Sequence, residues 1–251
     1  MKRQKIIVGA AYAITALFAG VLTTFAQPDA QFAKANQEYA QGHFKQAIDG
    51  YEELIRSREW SANLFYDLGN AYFRVGDFGH AILNYERALV LEPHHPETQA
   101  NLRITRDEAR ALELQPSWPE RYLQFATVNQ YTIAAAIAFW LGAFCLAALI
   151  FSRRRSARVM ALSIFAWSIF ALLVTTVFWI DNGSKGRALA IITSSGVEAR
   201  LATADNANSV LALPPGSEVK IASQRGDWVY ATLPNNLRGW IPAKTVETVR
   251  L

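Results

Sequence analysis

The chain is predicted to be a multidomain membrane protein: an α-helical solenoid of short repeats, two transmembrane helices and a small β-barrel. Three observations carry this. Residues 28–61 and 62–95 repeat one pattern at a spacing of 34 residues. Two charge-free apolar runs, 131–151 and 159–180, flank an arginine-rich loop. Beyond residue 187, seven short β-branched segments alternate with turn residues.

The N-terminus comes first. Lys2, Arg3 and Lys5 precede an apolar run at 6–26, and Thr24-Phe25-Ala26 offers a small-residue cleavage site before Gln27. Residues 1–26 therefore read as a secretory signal peptide. An uncleaved anchor is the alternative, because the run is longer than a usual signal core. On either reading residue 27 onward is exported.

The repeat domain is expected over 27–115. Gly42, Phe44, Ala47, Ile48 and Tyr51 recur as Gly76, Phe78, Ala81, Ile82 and Tyr85, and Asn36 recurs as Asn70. This spacing is the length of one tetratricopeptide (TPR) helix–turn–helix unit. The second copy is the fuller one: Leu68, Gly69, Tyr72, Ala81, Tyr85 and Ala88 supply the alternation of large and small residues that crossing helices need. Gly76-Asp77 makes the turn between the helices and Pro93 stops the second. Helices are expected at 62–75 and 78–91. The first copy carries Lys34 and Ala35 where the second has Leu68 and Gly69, which weakens its packing and marks a terminal repeat. After Pro96 an apolar stripe through Leu102, Ala109 and Leu112 reads as a capping helix over 97–113.

Likeness to TPR proteins implies a groove lined mainly by the first helix of each repeat. Carried onto this chain, that places Asn36, Tyr39, Asn70, Phe73 and Arg74 in the groove, with Arg103 and Arg106 near it. The asparagines would bond a ligand backbone, and the aromatics would seat an apolar side chain. The competing reading has the aromatics partly in the core and the asparagines solvated. The basic set of a carboxylate clamp is not in register.

An interfacial linker is expected at 116–130, followed by a transmembrane helix at 131–151. A second helix is expected at 159–180; each run is long enough to cross a bilayer. Between them lies 152–158, with Arg153, Arg154, Arg155 and Arg158, a cytoplasmic loop under the positive-inside rule. The formal net charge of +4 concentrates at membrane edges. Residues 27–118 hold 14 acidic and 9 basic groups. Neither soluble part has the basic surplus of a nucleic-acid footprint.

After a polar linker at 181–187, a domain is expected over 188–251. Its strands are expected at 188–193, 197–201, 210–213, 219–222, 228–233, 238–241 and 246–249, short and evenly spaced as in a small barrel. Pro214-Pro215-Gly216, Gly226-Asp227-Trp228-Val229 and Arg238-Gly239-Trp240-Ile241-Pro242 resemble a bacterial SH3 (SH3b) domain. Trp228 and Trp240 are candidates for the aromatic core and rim, which a barrel this small favours. The alternative is a peptide-binding surface.

Catalytic patterns are missing: no P-loop, GxGxxG, HExxH or GxSxG occurs. His94-His95 is read as a loop between prolines, not a metal site. Ser217–Lys220 matches SxxK in a turn-to-strand context that cannot serve it. No cofactor and no metal are expected. The single cysteine, Cys145, lies in an apolar run and makes no disulfide.

The order of signal, TPR pair, two spans around an arginine loop and SH3b domain resembles the BatE-type proteins of the aerotolerance (Bat) operons. The resemblance implies a non-enzymatic inner-membrane scaffold with both soluble domains in the periplasm. Its implied partners are membrane-anchored von Willebrand A-domain proteins. A cell-wall sensor holding peptidoglycan peptide through the SH3b domain is the alternative.

Overall fold

The computed structural model describes residues 26–116, 118–123, 126–151, 156–184 and 186–250. Nearly all of the expected signal segment, and Arg153, Arg154 and Arg155 of the expected cytoplasmic loop, lie outside the described residues. The chain divides into two compact units, Met1–Ala109 and Arg110–Leu251.

The first unit is helical: α1 (Ala26–Ala40), α2 (Phe44–Arg56), α3 (Ala62–Arg74), α4 (Phe78–Leu91) and α5 (Pro96–Ala109). The turns inside the two repeats are the same device used twice. Gly42 and Gly76 sit at φ +81° and +79°, a conformation that glycine adopts without steric cost. At the first, the Gly42 and His43 amides reach back to Tyr39 and Glu38 carbonyls; at the second, Gly76 and Asp77 reach Phe73 and Tyr72. Each helix end is thereby closed by a Schellman-type pair. The following caps differ. The Asp77 carboxylate accepts the His80 amide at 3.2 Å, whereas His43, at the same place in the first repeat, makes no side-chain cap. Ser61 caps α3 by accepting from Leu64 at 3.1 Å.

Ala35, Ala47, Tyr51, Leu54, Leu64 and Leu68 form one buried cluster. Phe65, Ala81, Ile82, Tyr85, Ala88 and Leu102 are buried through the second repeat and the last helix. The expected weakness of the first repeat is corrected here in part. Lys34 is exposed, but Ala35 is buried, and a Cβ added to Gly50 would lie 3.1 Å from the Ala35 methyl. The second repeat puts its space at Gly69, beneath the Tyr85 ring. The first puts it on the opposite helix, at Gly50, so the larger residue at 35 still fits.

In the second unit, residues 110–116 lie outside any helix. The cap therefore ends at Ala109, not at 113: Arg110 turns to φ +52°, and Leu112 packs against the sheet below. Then come α6 (Trp118–Leu123), α7 (Val128–Phe151) and α8 (Ala157–Asp181). The last two are long and apolar enough to cross a membrane. They pack on each other. The buried residues of α7 are Tyr131, Ala135, Ala138, Gly142 and Cys145, a four-three spacing that forms one seam of mostly small residues. At Gly142 the Trp167 indole of α8 approaches within 3.0 Å of where a Cβ would stand. Phe144, Phe165 and Phe178 point outward and are exposed.

The rest is one antiparallel sheet: β1 (Leu189–Ile192), β2 (Val197–Arg200), β3 (Ser209–Leu213), β4 (Glu218–Arg225), β5 (Trp228–Thr232), β6 (Arg238–Pro242) and β7 (Val246–Thr248). Their order is β3-β2-β6-β5-β4-β1-β7. Register shifts at Ala199/Arg200 and Ile221/Ser223 mark bulges that bend the sheet. One face buries Ala190, Ile192, Val197, Leu213, Val219, Val229, Ala231 and Ile241. Among the described residues no ladder joins β3 to β7.

Candidate functional site

Two tyrosines decide what the repeat asparagines can do. On α2, the Tyr51 hydroxyl donates to Asn36 Oδ1 at 2.7 Å; on α4, Tyr85 donates to Asn70 Oδ1 at 2.8 Å. Both rings are buried. Burial pushes both phenols well above the usual tyrosine range, so they stay protonated and keep donating. Asn36 and Asn70 thus tie the two helices of each repeat together, a third possibility beside ligand contact and solvation. Asn70 also accepts from Asn101 Nδ2 at 2.9 Å, which reaches Tyr66 Oη at 3.3 Å as well. A polar lattice therefore joins α3, α4 and α5, and its satisfaction gives it rigidity.

That lattice floors a cavity of about 280 Å³. Tyr39, Asn70, Phe73 and Arg74 line it, and Asn36 does not. Arg74 is exposed at the mouth. Its Nε lies 3.5 Å from Tyr39 Oη, and its guanidinium stands 5.7 Å from the centre of the Phe44 ring. Phe73 rests against Phe78, ring centres 5.8 Å apart. Sequence reasoning missed the remaining lining: Tyr66, Tyr85, Asn101, Ile104 and Thr105. Helical spacing contains the signal, since Tyr66 precedes Asn70 by one turn on α3. Ile104 stands one repeat length after Asn70, and Asn101, Ile104 and Thr105 share a face of α5. Arg103 and Arg106 do not line the cavity. Arg106 instead pairs with Glu86 of α4 in a nearly buried ion pair.

On the far side of Tyr66 lies His95, ring centres 5.2 Å apart. Its Nδ1 accepts the Thr98 amide at 3.2 Å, so this histidine finishes the first turn of α5. Asp67 is half-buried nearby. Burial pushes its carboxyl up to about 6, with attraction from His95 acting the other way.

In the sheet, Trp228 and Trp240 fall outside the buried cluster. Both alternate with core positions, Val229 on β5 and Ile241 on β6, and so lie half-buried on the opposite face. Tyr230 pairs with Trp240 across the ladder, ring centres 5.0 Å apart. Trp228 pairs with Pro242 on one side and Arg225 on the other. The result is an aromatic row with a cationic neighbour. Arg158, the one described arginine of the expected topology set, lies in α8.

A stack of helix pairs around a cavity is the architecture of a helical-repeat interaction module. The tetratricopeptide repeat family model matches residues 62–95, the second helix pair. A search of curated proteins finds no match to this chain.

Proposed function

We propose that the chain is a non-enzymatic scaffold of the bacterial inner membrane. The repeat domain would hold a segment of a protein partner, and an SH3b-like C-terminal domain would add a second contact. The observation that carries this is the cavity bounded by Tyr39, Tyr66 and Phe73, with Arg74 at its mouth and Asn101 in its floor. Its volume suits one or two side chains of a docked segment better than a whole cofactor. The repeat match supports the same class of role. Two weak contacts on one anchored chain raise effective concentration, so modest affinities suffice.

The module order supports a finer reading. The chain is a Bat-type component with α7 and α8 as spans, residues 152–158 in the cytoplasm and both soluble domains in the periplasm. Its partners would be membrane-anchored von Willebrand A-domain proteins. The test is a photo-crosslinker in place of Phe73 in cells, with adducts identified after mild solubilisation. An adduct with an A-domain membrane protein is expected. No adduct, under conditions where another membrane complex survives, overturns the reading.

A second reading rests on the row Trp228, Tyr230 and Trp240. Half-buried aromatic rings sharing one face of a sheet suit a cell-wall peptide, which would make the chain a wall-binding sensor. Retention of the solubilised full chain on purified sacculi, lost in Trp240→Ala, is the expected sign. Equal retention of the two chains removes this reading.

A further inference from the structure

Seven residues between the last repeat helix and the first apolar helix behave as part of the C-terminal sheet. The Leu112 amide donates to Ser217 Oγ at 3.1 Å. The Leu112 carbonyl accepts from the Glu218 amide at 2.8 Å. The Leu114 amide donates to Glu218 Oε2 at 3.0 Å. Ser217 and Glu218 are fully buried, and Leu114 nearly so. Leu112 packs against the sheet's buried cluster. The receiving corner is set before the segment arrives: Ser217 and Gly216 are bonded to Ile192 of β1 and Pro214 on the turn. One main-chain bond, two side-chain acceptors and a leucine on the apolar cluster hold the segment much as a sheet holds an added peptide.

We infer that residues 110–116 are a resident strap of the sheet domain, held as an extended Leu-x-Leu peptide on the Ser217–Glu218 corner. The domain is therefore discontinuous, with one piece before the apolar helices and the rest after them. This has a topological consequence. Both α7 and α8 lie in sequence between the strap and its dock, so the strap closes a loop around the hairpin. Its two ends stand on one side of the membrane, whichever side that is. A second set of bonds at the same ends agrees: Ser184 Oγ donates to Glu120 Oε2 at 2.7 Å, and Lys220 donates to the Asn182 carbonyl. The topological half rests on reading α7 and α8 as membrane spans; the strap itself does not.

Amide hydrogen exchange on the full chain in detergent tests the strap. The Leu112 and Leu114 amides are expected to exchange far more slowly than in a free peptide. Glu218→Ala should accelerate Leu114 about tenfold or more, the factor expected on losing a buried hydrogen bond, and Glu218→Gln should keep it protected. Free-peptide exchange in the unaltered chain, or no change in Glu218→Ala, overturns the strap. Should Glu218→Ala also deprotect β5 and β6, Ser217→Ala decides. Faster exchange at Leu112 with β5 and β6 intact supports the strap, and unchanged exchange at Leu112 overturns it. For the membrane half, Gln115→Cys and Asn206→Cys are made singly in a Cys145→Ser chain in intact cells. A membrane-impermeant maleimide should label both or neither. Labelling of one alone overturns the shared face while leaving the exchange result to stand by itself.

Discussion

At single residues, the repeat domain is governed by where space is left and where a proton sits. Gly69 leaves room for the Tyr85 ring: a Cβ there would lie 2.7 Å from two ring carbons. Gly69→Ala should destabilise the domain by about 1–3 kcal/mol, the usual cost of overpacking. A lowered thermal midpoint would register it. Tyr85→Phe keeps the ring and removes the donor to Asn70; about 1 kcal/mol should be lost. Asp67 gives a pH dependence whose sign follows from burial. Its carboxyl is raised to about 6 in the fold, above the unfolded value, so the native state holds the extra proton. Stability is then full at low pH and falls as pH rises from about 4 through 6, by roughly 1–2 kcal/mol after allowing for partial exposure. Asp67→Asn should flatten that part of the stability–pH curve and stabilise the domain at neutral pH. A denaturation series across this range that leaves the two chains parallel would refute the assignment.

Among the elements, α5 decides whether two repeats suffice. It buries Thr98, Leu102 and Thr105 and contributes Asn101 to the cavity floor. Leu102→Ala should cost about 2–5 kcal/mol, as other core truncations do. Loss of cooperativity in unfolding at α3–α5 would accompany it. The repeat helices, the two apolar helices and the strand sequence of the sheet are legible in local periodicity and in glycine or proline punctuation; α6 is not, since it falls within the stretch 116–130 expected as a linker. The candidate cavity was legible only in part. Tyr39, Asn70, Phe73 and Arg74 share its wall because TPR geometry places the first helix of each pair there. Asn36 does not, although its Oδ1 accepts from Tyr51 as that of Asn70 accepts from Tyr85: the lining comes from Tyr39, the second repeat and α5. Asn101 and Ile104 fall outside that rule, because a capping helix is expected to cover the last repeat and nothing in that role points to its inner face as lining. The end of α5 was misplaced for a different reason. Leu112 continues the helical stripe, yet its burial partners lie more than a hundred residues away on the sheet, and no local pattern announces them.

Across the whole molecule, charge and apolar length have to agree on an orientation. The outward phenylalanines of α7 and α8 are exposed side chains that water would not accommodate as a continuous surface, whereas lipid would. In the proposed topology the arginines at 153, 154, 155 and 158 sit in the cytoplasm, and both soluble domains are exported. Lys/Arg bias in short loops sets such an orientation, while acidic groups count for little. Each central arginine is also costly to move through the bilayer, by about 2.5–3.5 kcal/mol on insertion scales. A reporter enzyme active only outside the cytoplasm, fused after Leu251, should therefore be active. Replacing all four arginines with Gln removes the bias from the loop and leaves Lys2, Arg3 and Lys5 near the N-terminus, with Arg121, Lys185 and Arg187 beside the opposite span ends, to direct insertion. Reporter activity should then fall severalfold, with part of the population misoriented, while total membrane-bound protein stays constant. Restoring Arg154 and Arg155 should recover most of the signal, because the rule counts positive charge near the span ends and not particular residues. An inactive reporter on the unaltered chain would reverse the proposed orientation. Unchanged activity after removal of all four would show that the loop does not set it.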